Sequence, residues 1–134
     1  MTPRLISRLA RAIAIAAVLA PLAAGAPAQA APKKLAGEMR CGWLQNPSPG
    51  NWWLVDSAGE WTVAIQGGFR ARGLDDVPDL TERDWVVTNG GSYGYGCACL
   101  RVQTDPKARR ITRIHSVKQQ ALKTCRADRK LPKP

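Results

Sequence analysis

The clearest pattern along the chain lies between residues 51 and 65, where apolar side chains recur every second position on either side of Asp56-Ser57-Ala58-Gly59. A period of two marks a strand with one buried face. Asn51–Asp56 and Glu60–Ile65 therefore read as the arms of a hairpin. Asp at the first turn position and Gly at the fourth suit a type I turn closed by a left-handed bulge. That turn places Asp56 opposite Glu60, Val55 opposite Trp61 and Trp53 opposite Val63. Trp53, Val55, Trp61, Val63 and Ile65 then form the face to be buried. Trp52, Leu54, Thr62 and Ala64 take the other face, with Trp52 the indole expected to stay partly exposed.

A second hairpin is marked by Asn89-Gly90, the strongest two-residue turn signal. With Thr88 opposite Gly91, Trp85 lies across from Gly94, where a large ring covers backbone that glycine leaves bare. The returning strand runs to about Gln103. It carries Tyr93, Tyr95, Cys97, Cys99 and Arg101 on one face, and Gly94, Gly96, Ala98, Leu100 and Val102 on the other. Ile111–Val117 is β-branched enough to be one more strand. Ala31–Arg40 is polar and is expected to fray, and Asn46-Pro47-Ser48-Pro49-Gly50 is dense turn punctuation. Residues 67–84 form a glycine-rich and then acidic connection, in which Asp79-Leu80-Thr81-Glu82 has the form of a capping box opening one helical turn. A further helical turn is expected near Cys125, with a disordered end beyond it. The whole reads as a mainly β domain of four or five strands, a small antiparallel sandwich or partly open barrel. Its expected core is Trp53, Val55, Trp61, Val63, Ile65, Trp85, Leu100 and Val102.

The first thirty residues change the picture. Arg4, Arg8 and Arg11 precede an apolar run from Ala12 to Ala20, and small residues lead to Ala28-Gln29-Ala30. This is the form of a cleaved secretory signal, with an apolar run too short to span a bilayer. The expected mature product is one small domain over residues 31–134, periplasmic or secreted, with no transmembrane segment. In an oxidising compartment, four cysteines in such a chain read as two disulfides. Cys97 and Cys99 point to the same side of a strand, and a bond between them would stretch disulfide geometry. One of them is expected to join Cys41 and the other Cys125.

Charge is uneven. The chain has 20 Lys and Arg against 10 Asp and Glu, and eleven of the basic residues lie in 101–134. A basic end attracts anionic surfaces such as phospholipid. Nucleic acid is disfavoured, because no aromatic residue interleaves the basic ones after Tyr95. No catalytic set, cofactor signature or metal-ligand spacing stands out. Two enzymatic or metal alternatives stay open. Cys97 and Cys99 could serve thiol-redox chemistry, or with Cys41 or Cys125 and His115 could hold a thiolate-binding metal. Asp75, Asp76, Asp79, Glu82 and Asp84 could supply paired carboxylates to a small hydrolase.

The stretches GWLQNPSPGNWWL, TNGGSYGYGCACL and CRADRKLP resemble the signature of a bacterial secreted family known as domain of unknown function 4087. The resemblance covers nearly all of the chain after the signal. It implies a small exported protein and carries no activity or catalytic residue with it. The functional expectation is a non-enzymatic cell-envelope binding or interaction module. Its candidate surface is Asn46, Pro47, Asn51, Trp52, Gly67, Tyr93 and Tyr95, and its partner would be an envelope protein, a glycan or an anionic membrane surface.

Overall fold

The computed structural model describes residues 37–134. The expected signal over residues 1–30, with its cleavage pattern, lies outside the described residues. Among the described residues six strands run in the order β1 (Glu38–Ser48), β2 (Asn51–Asp56), β3 (Gly59–Ala64), β4 (Trp85–Val87), β5 (Gly94–Asp105) and β6 (Arg110–Gln120). A 3-10 turn at Leu74–Asp76 interrupts the long connection between β3 and β4, and a short helix α1 (Leu122–Ala127) follows β6.

Twelve-residue β5 organises the sheet. One of its edges pairs with β1, from Glu38 opposite Val102 to Asn46 opposite Gly94. The other edge is shared end to end by β6 and the much shorter β4. β1 also pairs with β2, and β2 with β3. The sheet thus curls until β3 meets β6 through one parallel pair, Thr62 with Arg110. The result is a mixed sheet rather than a purely antiparallel one, and it is not a clean barrel. The connection after β3 fills the seam: Ala71 N–H donates to Val63 O (2.8 Å), and Ile114 N–H donates to Arg72 O (2.8 Å). Gly73 is required there. Its φ is +82°, and a Cβ would sit 2.3 Å from the Ile114 carbonyl oxygen.

Apolar side chains fill both sides of the sheet. Leu44, Leu54, Trp61, Val63, Leu100, Val102 and Ile111 pack inside the curl, joined by Leu74 and Leu80 from the connection. Outside it, Trp43, Val55, Cys97 and Cys125 form a second cluster, against which Tyr95, Leu122 and Leu131 pack.

Burial on both faces explains why the first hairpin departs from its expected register. Asp56 pairs with Gly59, Val55 with Glu60 and Leu54 with Trp61, one residue out of step with the expected alignment. Leu54, not Trp53, therefore joins Trp61 and Val63 in the interior. Val55 is buried on the opposite face, Trp53 is half-buried, and Ile65 is 44% exposed. Asp56 anchors this register. Its carboxylate accepts from Ala58 N–H (2.8 Å) and the Trp61 indole N–H (3.2 Å), and ion-pairs with Arg40 (2.6 Å). Arg40 and Arg109 stack on the Trp61 ring, 3.9 and 4.2 Å from its centroid.

Other expectations need correcting too. Residues Glu38–Arg40 do not fray but open β1, where Glu38 accepts from the Thr104 hydroxyl (2.6 Å) and from Arg40 (3.0 Å). The strand extends through Asn46 and Pro47 to Ser48, so the turn is confined to Pro49-Gly50. The second hairpin has a wider loop: Thr88 N–H donates to Tyr93 O, and Trp85 lies opposite Gly96 instead of Gly94. This slip of two residues preserves the faces. The ring of Trp85 still covers glycine backbone, with its indole N–H donating to Ser92 O (2.9 Å), and Trp85 is half-buried rather than core. No helix forms at Asp79-Leu80-Thr81-Glu82: Asp79 accepts from the backbone N–H and the hydroxyl of Thr81 as a cap would, but no helical turn follows it. The end of the chain is not loose either: Trp43 Nε1–H donates to Pro132 O (3.0 Å) and Leu131 is half-buried.

Candidate functional site

The four cysteines are all paired. Cys41 bonds Cys99 straight across the β1–β5 ladder, with Cα atoms 4.0 Å apart. Cys97 bonds Cys125, with Cα atoms 5.8 Å apart, and holds α1 against the sheet. Cys97 and Cys125 are buried, whereas Cys41 is exposed and Cys99 half-buried. No thiol is left free.

The expected binding residues divide into separate places. Asn46 and Asn51 are committed to the Pro49-Gly50 turn. The Asn46 amide donates to Ser48 O (3.0 Å) and Asn51 O (2.7 Å), and Asn51 joins the Ser48 hydroxyl (2.8 Å) to Gln66 N–H (3.0 Å). Gly67 sits in the exposed turn after β3, and Tyr93 closes the second hairpin. Trp52 and Asn46 share a groove of about 230 Å³ with Trp85. Leu80, Pro78 and Thr81 from the long connection form its opposite wall. Tyr95 and Pro47 lie elsewhere, on the outer side of the sheet, and line a different depression.

Two half-buried indoles from different hairpins thus meet at one groove. The alternation pattern places Trp85 in the core, whereas in the structure it is half-buried and lines this groove. The signal was present in its placement against glycines: a Cβ at Gly96 would come 2.8 Å from the Trp85 ring, so glycine is what lets the ring lie flat. Asp79, also at this groove, is held ionised below the usual carboxylate range by the backbone N–H and then the hydroxyl of Thr81.

The acidic connection does not gather its carboxylates around one point. Asp75 pairs with Arg70, Asp79 caps Thr81, and Asp84 accepts from Leu122 N–H (3.2 Å). Among the described residues, no three His, Cys, Asp or Glu side chains come together as a metal site. Among the same residues, no helix is long and apolar enough to cross a membrane.

A protein-family model described as protein of unknown function (DUF4087) matches residues 35–132. The chain belongs to the DUF4087 family. The match takes in both disulfides, every described strand and the Trp52–Trp85 groove of this DUF4087 chain. No curated protein matches it. No solved structure matches it either.

Proposed function

We propose that this chain is an exported, non-enzymatic binding module of the cell envelope, and that its contact surface is the Trp52–Trp85 groove. The observation that carries the reading is the meeting of those two half-buried indoles over a cleft of about 230 Å³. Trp52 and Trp85 offer flat apolar faces, while Thr81 and Asp79 offer polar contacts at the rim. That combination suits a sugar ring or a short peptide, since rings stack on indole and hydroxyls or amides need nearby partners. Two disulfides are compatible with a periplasmic or extracellular setting. They tie β1, β5 and α1 together, which favours a preformed surface over one that must order on binding.

The test is co-sedimentation with purified peptidoglycan alongside a pull-down from periplasmic extract. The wild-type protein is expected to be retained in at least one of them. Trp52→Leu is expected to weaken retention by about an order of magnitude, as loss of a stacked ring does. Wild-type protein that stays in the supernatant and captures nothing, or Trp52→Leu protein retained as well as wild type, overturns the proposal.

A further inference from the structure

A second groove, sharing no lining residue with the first, lies on the outer face of the sheet. The segment after α1 folds back over β1 and β5, where Pro132 O accepts the Trp43 indole N–H and Asp128 O accepts Leu131 N–H (3.2 Å). Between this segment and the strands an open groove of about 520 Å³ remains. Tyr95 is the accessible ring of its floor, and Trp43, 2% exposed, supports it edge-on from beneath, with ring centroids 5.4 Å apart and planes at 87°. Leu131 supplies an apolar wall. The rim carries the side chains of Arg126, Arg129 and Lys133 against one acidic side chain, Asp128, whose Oδ1 accepts from Lys130 N–H (2.9 Å), with Pro134 beside them.

The charge at this rim is unbalanced. No ion pair among the described residues involves Arg126, Arg129 or Lys133. The Tyr95 hydroxyl takes part in none of the hydrogen bonds among those residues, although it belongs to the groove. The floor is also fixed in advance. The Cys97–Cys125 disulfide ties α1, which carries Arg126, to the strand that carries Tyr95. A cleft of this size falls within the ~300–1,000 Å³ of small-molecule sites. A tyrosine face beside Leu131 selects a flat apolar body, and a rim of three basic side chains and one acidic side chain selects negative charge.

We propose that this groove binds a small organic anion with a planar apolar body. The ring lies against the half-buried Tyr95 and Leu131, and the anionic group faces Arg126 and Arg129. A cation of the same shape meets like charge at the rim and binds worse.

The probes are 1-naphthoate and 1-naphthylmethylammonium, which share a ring system and differ in charge. Titration of the full folded domain is followed by NMR at the Trp43 indole N–H and the Tyr95 ring. Naphthoate is expected to shift both, and the ammonium compound to bind about ten-fold more weakly or worse. Arg126→Glu with Arg129→Glu, both exposed, is expected to cost naphthoate about ten-fold in affinity while the domain stays folded, its thermal midpoint lowered by no more than about 5–8 °C because Arg126 lies in the last turn of α1. Added salt is expected to weaken naphthoate binding to the wild type, a measurement that needs no variant. Equal affinity for the two probes, charge reversal without effect, shifts confined to the Trp52–Trp85 groove, or no binding at about 10 mM naphthoate overturns the proposal.

Discussion

Replacing Asp56 tests the anchor of the first hairpin. Its carboxylate is buried, with a side-chain exposure of 6%, and accepts from Arg40, Ala58 and Trp61. Asp56→Ala removes two hydrogen bonds to neutral donors, worth about 1 kcal/mol each, and strands the Trp61 indole N–H away from water. It also removes the main partner of Arg40. Breaking a fully buried ion pair costs about 3–5 kcal/mol. Arg40 is 16% exposed and keeps Glu38 at 3.0 Å, so about 1–2 kcal/mol is the appropriate share here. The expected loss is about 3–5 kcal/mol for Asp56→Ala. Asp56→Asn retains an oxygen acceptor and loses mainly the charge, so about 1–2 kcal/mol is expected. In a domain of this size those losses correspond to about 15–30 °C and about 5–15 °C in thermal midpoint. Urea unfolding with the disulfides intact measures both, given unchanged slopes. Asp56→Ala within about 1 kcal/mol of the wild type would show that Asp56 does not anchor this hairpin. Two variants of equal cost would show that the hydrogen bonds and the charge are not separate contributions.

Three further outcomes rest on the disulfides and on the Glu38–Thr104 contact. Alkylation of native protein is expected to find no reactive thiol before reduction and four after it, and Cys97→Ala with Cys125→Ala should lose about 3.5 kcal/mol from its 28-residue separation alone; an unfolding free energy equal to that of the wild type would contradict this. The Thr104 hydroxyl holds the Glu38 carboxyl below its usual range, with burial opposing and Arg40 assisting. A depressed folded-state pKa contributes stability above the unfolded value and loses it as the pH falls through the folded one. Thr104→Val should therefore raise the Glu38 midpoint in a carboxyl-carbon NMR titration and flatten the loss of stability on acidification, and an unmoved midpoint would remove the hydroxyl from the account.

Short-range pattern by itself determined that this chain is mainly β, and it located the strands around residues 51–65 and 85–103 and the one near 111–117. Side chains alternate across a strand whatever lies beyond it, so Leu100 and Val102 were legible as core and Cys97 and Cys99 as neighbours on one face. Parity along one strand could not say which partner each cysteine takes. That was decided when β1 aligned antiparallel to β5 with Cys41 opposite Cys99, leaving Cys97 to reach α1. β1 itself was obscured by Pro47 and by charged Glu38 and Arg40, whose partners Thr104 and Asp56 are distant in sequence. The register of the first hairpin was likewise set from outside it. Turn residues favour one alignment locally, but a buried carboxylate must meet its donors, and with both faces of β2 covered a one-residue slip exposes no apolar strip. Neither groove was visible in the chain, because each is made by segments that meet only when the sheet curls: Trp52 with Trp85 on one side, and Tyr95 with Arg126 and Arg129 on the other.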